Sequence, residues 1–181
     1  KLKGVEVNTS AALVRFAADE ATPLIESLGG TLPDLLPGYR VKLLDGNCIE
    51  KSEHRIKELR AIAAGPLPGK SLVVLDPALR LPIDVFPCED GHAQERALLR
   101  AVLNTVRPRD VWVADRNMCT LSFLNGIAKA DGYFVIREHQ NLPWEPIGER
   151  RPAGKVDTGR VFEQRIQITD EEGKPLQLRR I

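Results

Sequence analysis

The chain has 181 residues, 43% of them hydrophobic, and a formal net charge of +1, which is the ordinary balance of a folded α/β or α+β protein. This charge does not indicate a polybasic nucleic-acid binder, so any contact with nucleic acid has to come from local patches. No apolar run reaches the roughly 18 residues of a membrane-spanning helix, and no charged-then-apolar leader opens the chain. Three widely separated cysteines suit a reducing compartment, so we expect the cytoplasm.

The first half of the chain is predicted to alternate helices with strands, separated by proline and glycine. Thr9 or Ser10 can cap the first helix, and Gly29-Gly30 ends it. In order, the predicted elements are a helix over 9–30, a strand over 39–47 that runs into a turn at Asp45-Gly46, a short helix over 52–63, and two hairpin-paired strands over 71–77 and 81–90.

The second half is predicted to place helices between parallel strands and to end in a hairpin. The run "DVWVAD" is too apolar to alternate, which favours a central strand covered on both faces. In order, the predicted elements are a helix over 93–106, a strand over 110–115, a helix over 120–132, a strand over 133–139, a loop-like stretch over 140–157, and strands over 159–168 and 176–181. The last two strands alternate apolar and polar residues, which indicates one solvent-exposed face. Together these elements predict an α/β fold in which a mixed sheet has helices on its faces.

Three predicted strands end in, or just before, an aspartate: Asp45, Asp76 and Asp115. An ionised carboxylate at the end of a buried strand is costly to desolvate unless it is paired, and ligands bind at the strand ends of open α/β sheets. If Asp45 and Asp115 lie on neighbouring strands that point the same way, their carboxylates repel each other, and a divalent cation between them removes that repulsion. Magnesium takes one or two carboxylates together with phosphate oxygens and water, and metals held in this way stabilise the attacking and leaving oxygens of a phosphodiester. Arg116 would then meet a phosphate or fix the Asp115 carboxylate.

Each of these aspartates also fits a structural role. Asp45-Gly46 and Asp76-Pro77 are common turn pairs, and Asp115 fits an acid at a helix amino terminus that is paired with Arg116. Spacing alone favours the turn at Asp45, favours it more strongly at Asp76, and leaves Asp115 balanced between the two interpretations.

Three stretches resemble the DDE transposases of bacterial insertion sequences, of the family-four type. "VWVADRNMCTLSFLNGIAKADGYFVIREH" resembles their second-aspartate region, "LLDGNCIEKSEHRIKELR" their first-aspartate region, and "LPGKSLVVLDPALRLPIDVFP" the stretch between. The resemblance covers roughly residues 36–181. It implies a ribonuclease-H-like core with the first acid on the first strand and the second on the fourth, and Asp45 and Asp115 match these two positions.

The resemblance also implies a reaction, a cofactor and partners. Water attacks a phosphodiester at the end of the element, and the freed 3′-hydroxyl then attacks target DNA, with Mg²⁺ or Mn²⁺ as cofactor. The implied partners are double-stranded DNA, as transposon ends and as target, and a second subunit in a homodimer on DNA. The implied location is the bacterial cytosol or nucleoid.

The third acid of this family is a glutamate in a tyrosine-arginine-glutamate-lysine signature, which this sequence lacks. The hairpin at 158–181 resembles the start of the β-rich insertion that precedes that glutamate. Residue 1 is lysine and the only methionine is Met118. We therefore expect a fragment that does not cut DNA by itself, divided into a helical segment over 1–35, a partial catalytic core over 36–157 and the start of the insertion over 158–181. Glu138, Glu145 and Glu163 are poor substitutes, because none lies on a convincing helix after the last core strand.

Local basic residues are the candidates for contacting DNA. Arg116 follows the second aspartate, Arg150 and Arg151 lie in the predicted loop, and His54 lies on the predicted helix over 52–63. A solvated face is the commoner role for such residues. Trp144 could stack on an unpaired base, although packing of its loop onto the core is favoured.

Two further functions remain open from the sequence. One is a different ribonuclease-H-like nuclease with the same metal chemistry and no strand transfer. The other is a non-catalytic DNA-binding remnant of a transposase.

Overall fold

The computed structural model describes residues 7–48, 70–88 and 94–181, which form two sheets and three helices. The helices are α1 (Val7–Ser27), α2 (Leu99–Leu103) and α3 (Leu121–Lys129), and 3₁₀ turns cover Glu95–Leu98 and Arg116–Met118. The strands are β1 (Arg40–Cys48), β2 (Lys70–Asp76), β3 (Leu81–Cys88), β4 (Asp110–Ala114), β5 (Tyr133–Ile136), β6 (Glu145–Pro146), β7 (Arg151–Val156), β8 (Gly159–Thr169) and β9 (Pro175–Arg180). Within these described ranges no helix is both long and apolar enough to cross a membrane.

The larger sheet has five strands in the order β3-β2-β1-β4-β5. The first three strands are antiparallel neighbours, whereas β1, β4 and β5 are parallel. Antiparallel pairing therefore builds one half of the sheet and parallel pairing builds the other half. This is the mixed sheet that the order of elements predicted, with β4 in the interior between β1 and β5.

One face of this sheet is covered by α2 and α3 and carries the main core. Trp112 and Phe123 are fully buried there, together with Leu72 and Val102. The sheet supplies Leu44, Leu72, Val74, Phe86 and Trp112, and the helices supply Leu99, Val102, Phe123 and Ile127. The apolar side chains of β4 and of α3, the helix that follows it, thus meet in one core.

The first helix packs against the outer strand of the antiparallel half. Ala11 and Ala18 are its buried side chains. Nε of Arg15 lies 2.8 Å from Oδ1 of Asp84, a β3 residue that is itself buried. Because Asp84 is buried, this ion pair offsets the desolvation of a carboxylate that would otherwise be costly.

The smaller sheet is built around β8, which pairs with β6, β7 and β9. The antiparallel β8–β9 hairpin confirms the predicted pairing of the last two strands. Ile166 and Ile168 of β8 are buried, and Leu176 and Leu178 of β9 pack towards the same side. The alternating residues of both strands face outwards, so the predicted single solvent-exposed face is also confirmed.

Three local predictions are wrong. Thr9 and Ser10 do not cap the first helix, because α1 already begins at Val7 and includes both. The chain does not turn at Asp45-Gly46: β1 continues to Cys48, because Asp45 and Gly46 pair with Val73 and Leu72 of β2. Residues 151–156 are not a loop, because they pair with β8 through a register shift between Pro152 and Gly154. The predicted helix over 52–63, with His54, lies outside the described residues.

Candidate functional site

The two predicted acids occupy equivalent positions on neighbouring parallel strands. The β1–β4 ladder ends with Leu44 opposite Ala114, and the next residue on each strand is the aspartate, Asp45 or Asp115. Parallel neighbours run about 4.8 Å apart, so the register brings the two backbones side by side. Both side chains are exposed. The register therefore places two exposed aspartates side by side, Asp45 within β1 and Asp115 just after the carboxyl end of β4.

Each carboxylate is oriented by a nearby backbone amide. Oδ1 of Asp45 accepts a hydrogen bond from N of Gly46 at 2.8 Å, and Oδ1 of Asp115 accepts one from N of Asn117 at 2.8 Å. The second bond makes Asp115 the cap of the 3₁₀ turn that follows β4, so the N-terminal part of its predicted structural role is confirmed and the predicted pairing with Arg116 is not. Among the ion pairs of the described residues neither aspartate takes part. Arg116 is exposed and, like the other arginines in the described part of the chain, forms no ion pair with Asp115.

The donor set at this edge suits a hard divalent cation only in part. Two exposed carboxylates with acceptor capacity left over are the oxygen ligands that Mg²⁺ prefers, and it commonly takes one or two of them. Within residues 7–48, 70–88 and 94–181 no group of three His, Cys, Asp or Glu side chains could hold a metal ion. The pair therefore fits a site that phosphate, water or further ligands would complete.

Glu95, which the sequence did not single out, lies over Gly46, on the opposite side of β1 from the Asp45 side chain, because successive side chains of a strand face opposite sides. A Cβ atom added to Gly46 would lie 2.6 Å from Oε1 of Glu95, so that carboxylate packs directly over the glycine. Glu95 begins the 3₁₀ turn before α2, and the adjacent Arg96 donates from Nε to the backbone oxygen of Asn117 at 2.9 Å. The turn is thus tied to the loop after Asp115. The sequence signal was an acid in the first turn after β3, and only the fold shows that this turn lies beside Gly46.

The third strand-end aspartate has a structural role. Oδ1 of Asp76 accepts hydrogen bonds from the backbone amides of Ala78 at 2.9 Å and Leu79 at 3.2 Å. These bonds close the turn between β2 and β3, so the turn predicted at Asp76-Pro77 is confirmed.

Of the two arginines predicted to contact DNA from the loop, Arg151 is the first residue of β7 in the smaller sheet and Arg150 directly precedes it. Nε of Arg151 lies 2.8 Å from Oε1 of Glu163, and the guanidinium of Arg150 lies 4.2 Å from the centre of the Phe162 ring. Both side chains are exposed. They are therefore anchored by protein partners while remaining accessible to solvent.

Trp144 packs its loop onto the core, as favoured from the sequence. Its Nε1 donates to Oε1 of Glu138 at 2.9 Å, and the guanidinium of Arg180 lies 4.6 Å from its ring centre. Nε of Arg180 also lies 2.6 Å from Oε2 of Glu138. Glu138 therefore joins the end of β5 to the 140s loop and to β9, which is a structural use of that glutamate. Cys119 is buried beside this cluster, and burial raises the pKa of its thiol.

No family model matches the chain, and no curated protein matches it. Among solved structures, the chain is similar to the piggyBac transposase in a cryo-EM structure of its synaptic complex with hairpin DNA, with a TM-score of 0.40 and 12% identity. The match covers 80% of this chain and 33% of that one, so the chain spans about a third of the transposase it matches.

Proposed function

We propose that this chain is part of the catalytic core of a DDE-type transposase, in which Asp45 and Asp115 hold Mg²⁺ or Mn²⁺ for cleavage and strand transfer of DNA. The observation that carries the proposal is the β1–β4 register, which ends with Leu44 opposite Ala114 and leaves the two aspartates adjacent. Two residues that are 70 positions apart in the sequence are thereby placed at one edge of one sheet.

The topology of the sheet supports the ribonuclease-H-like part of the proposal. The resemblance of the sequence implies a first acid on the first strand and a second acid on the fourth strand. The strand order β3-β2-β1-β4-β5 makes the first and fourth strands parallel neighbours. Asp45 lies on β1, and Asp115 directly follows β4.

In this proposal the residues of the chain position charge rather than form bonds with the substrate. The amides of Gly46 and Asn117 hold one oxygen of each carboxylate, which leaves the other oxygen of each for the cation. When bound, the cation would neutralise the two acids and stabilise charge on a phosphodiester. Arg116, which is exposed directly after Asp115, would contact a phosphate of the bound DNA.

Calorimetric titration of the full chain with Mn²⁺ and Mg²⁺ tests the metal site. We expect Asp45→Asn and Asp115→Asn each to weaken binding at least about tenfold, which corresponds to about 1.4 kcal/mol. Asp76→Asn is the matched control, because it removes the charge of a strand-end aspartate that only closes a turn. Equal binding by the wild type, Asp45→Asn and Asp115→Asn would refute the proposed site.

A non-catalytic DNA-binding protein is the second candidate function. It is favoured by the lack of a third metal-binding side chain beside the pair in the described residues. The two candidates differ in one measurement on the longer parent protein: cleavage of element-end DNA in Mn²⁺. Cleavage that Asp45→Ala abolishes supports the transposase, whereas DNA binding without cleavage supports the second candidate. The further proposed features, a homodimer on DNA and a cytosolic or nucleoid location, need separate tests on the same protein.

A further inference from the structure

The solvent-exposed face of the smaller sheet carries three arginines in adjacent positions. Arg165 of β8 is directly opposite Arg179 of β9, and Arg151 of β7 is opposite Glu163 of β8. Residues 163 and 165 lie on the same side of β8, because side chains two positions apart in a strand share a face. The buried Ile166 and Ile168 occupy the other side. We call the set of Arg151, Arg165 and Arg179 the arginine face.

Glu163 pairs with two of these arginines, in each case through the Nε atom of the arginine. Nε of Arg151 lies 2.8 Å from Oε1 of Glu163, and Nε of Arg179 lies 3.0 Å from Oε2. The side chains of both arginines remain 70% and 66% exposed, while that of Glu163 is 21% exposed. Each pair is made through Nε and most of each side chain stays exposed, so the guanidinium keeps donors for a further acceptor. A planar guanidinium held in this way is suited to bind a phosphate with two parallel hydrogen bonds.

The pairing of Arg165 with Arg179 has no stabilising purpose in the free protein. Like charges directly opposite each other in an antiparallel pair destabilise the sheet. Arg165 is exposed and takes part in none of the ion pairs among the described residues. The other acid that the register places on this face is Glu145, opposite Gln167, two positions further along β8. The face therefore carries three arginines against two glutamates and keeps an excess of positive charge that an external anion would neutralise.

We propose that the arginine face binds the phosphodiester backbone of double-stranded DNA. The flanking side chains, Gln167 and Gln177, are uncharged hydrogen-bonding groups paired across β8 and β9, and a polar, positively charged surface is typical of DNA contacts. The choice of DNA as the polyanion rests on the proposed function. The inference that these arginines bind an anion rests on the register and charges of the smaller sheet. The face belongs to the second sheet, so it would bind DNA without the aspartate pair and without a metal ion.

Fluorescence polarisation with a labelled 20-base-pair duplex, measured with the full chain in EDTA, tests this inference. We expect the double variant Arg165→Gln, Arg179→Gln to weaken binding about tenfold and to reduce the slope of log affinity against log salt by about 2. Arg160→Gln is the matched control, since Arg160 is an exposed arginine of β8 whose even-numbered position lies on the opposite side of the strand. We expect it to keep the wild-type affinity and slope.

The single variant Arg165→Gln separates binding from folding. We expect it to weaken DNA binding while its thermal unfolding midpoint stays equal to that of the wild type or rises, because it removes a like-charge pair. The inference is overturned if the wild type does not bind the duplex, if the double variant binds like the wild type, if Arg160→Gln weakens binding equally, or if the face binds anionic phospholipid vesicles and not DNA. The Asp45→Asn, Asp115→Asn double variant should keep its DNA affinity in EDTA. Loss of metal binding at that pair can therefore be tested independently of the arginine face.

Discussion

The two ends of β4 carry aspartates in opposite environments. At the amino end, Asp110 is 0% exposed and accepts from three donors: Nε of Arg40 at 2.9 Å, Nζ of Lys42 at 3.0 Å and the backbone amide of Arg107 at 2.8 Å. At the carboxyl end, Asp115 is exposed and accepts from the amide of Asn117. The two carboxylates are five positions apart in the chain, yet that of Asp110 has three donors and that of Asp115 has one.

The difference separates stabilisation from ligand binding. A buried carboxylate is tolerated only when its charge is paired and hydrogen-bonded, and its burial closes it to a ligand from solvent. Lys42 also lies 5.1 Å from the centre of the Trp112 ring, so the pairing of Asp110 is continuous with the core. Asp45 and Asp115, at the other edge, contribute little to packing and keep free oxygens. The buried Asp110 at the amino end of β4 therefore stabilises the fold, whereas the exposed Asp45 and Asp115 on the other side of the ladder are available for a ligand.

The largest expected effect is on stability at the amino edge. Asp110→Asn leaves Lys42, whose side chain is only 13% exposed, without an anionic partner. We expect it to lower the free energy of unfolding by about 3 kcal/mol, measured by urea titration. Asp115→Asn, the control on the same strand, should change it by no more than about 0.5 kcal/mol. Similar losses for the two variants would show that the contrast between the edges is wrong.

The sequence predicted the parts of this contrast that depend on local pattern. The apolar run of β4 and the helix after it were sufficient to place β4 inside the larger sheet. The alternation in the final hairpin was sufficient to predict that one face of β8 and β9 is exposed to solvent. The role of Asp110 was not predictable in this way, because its partner Arg40 is 70 positions earlier in the chain. The same holds for Glu95, whose position over Gly46 depends on where two elements meet. The Asp45-Gly46 pair resembles a turn locally, yet long-range pairing with β2 keeps it extended.

The second prediction concerns metal-induced stabilisation at the carboxyl edge. A cation that binds only the folded chain should raise its free energy of unfolding by about 1.4 kcal/mol at a concentration of ten times Kd. We expect Mn²⁺ to raise the thermal midpoint of the wild type and of Asp76→Asn, but not of the Asp45→Asn, Asp115→Asn double variant. A rise of equal size in that double variant would place the cation elsewhere in the chain.

A smaller effect is expected from Asp170, whose environment lies between those of Asp110 and Asp115. Its side chain is 10% exposed and accepts from the backbone amides of Lys174 and Glu172, and Nζ of Lys129 lies 3.1 Å away. The hydrogen bond from the amide of Lys174, with the help of Lys129, lowers the pKa of Asp170 below its ordinary value of 3.8. The hydrogen bond with Asp170, with the nearby charge of Glu172, raises the pKa of Lys129.

The sign of the pH dependence follows from the lowered pKa of Asp170. Because the unfolded chain binds its proton at a higher pH than the folded chain, the stabilisation is complete above pH of about 4 to 5 and is lost as the pH falls further. We expect the wild type to lose more stability than Asp170→Asn between pH 5 and pH 3, measured by thermal unfolding at each pH. Parallel curves for the two proteins would contradict the assigned cause.

The smallest expected change in stability is that of Gly46→Ala, beside the aspartate pair. The new methyl group would meet the end of a flexible side chain, since its Cβ would lie 2.6 Å from Oε1 of Glu95. That carboxylate can swing away, so we expect the free energy of unfolding to change by less than about 0.5 kcal/mol. Gly126→Ala is the opposite case, because its Cβ would lie 2.5 Å from Cδ1 of Leu103, between α3 and α2. There the overpacking should cost about 1–3 kcal/mol in the same urea titration. A cost at Gly46 as large as that at Gly126 would mean that Glu95 is fixed in place, and the carboxyl edge would then be as rigidly packed as the core.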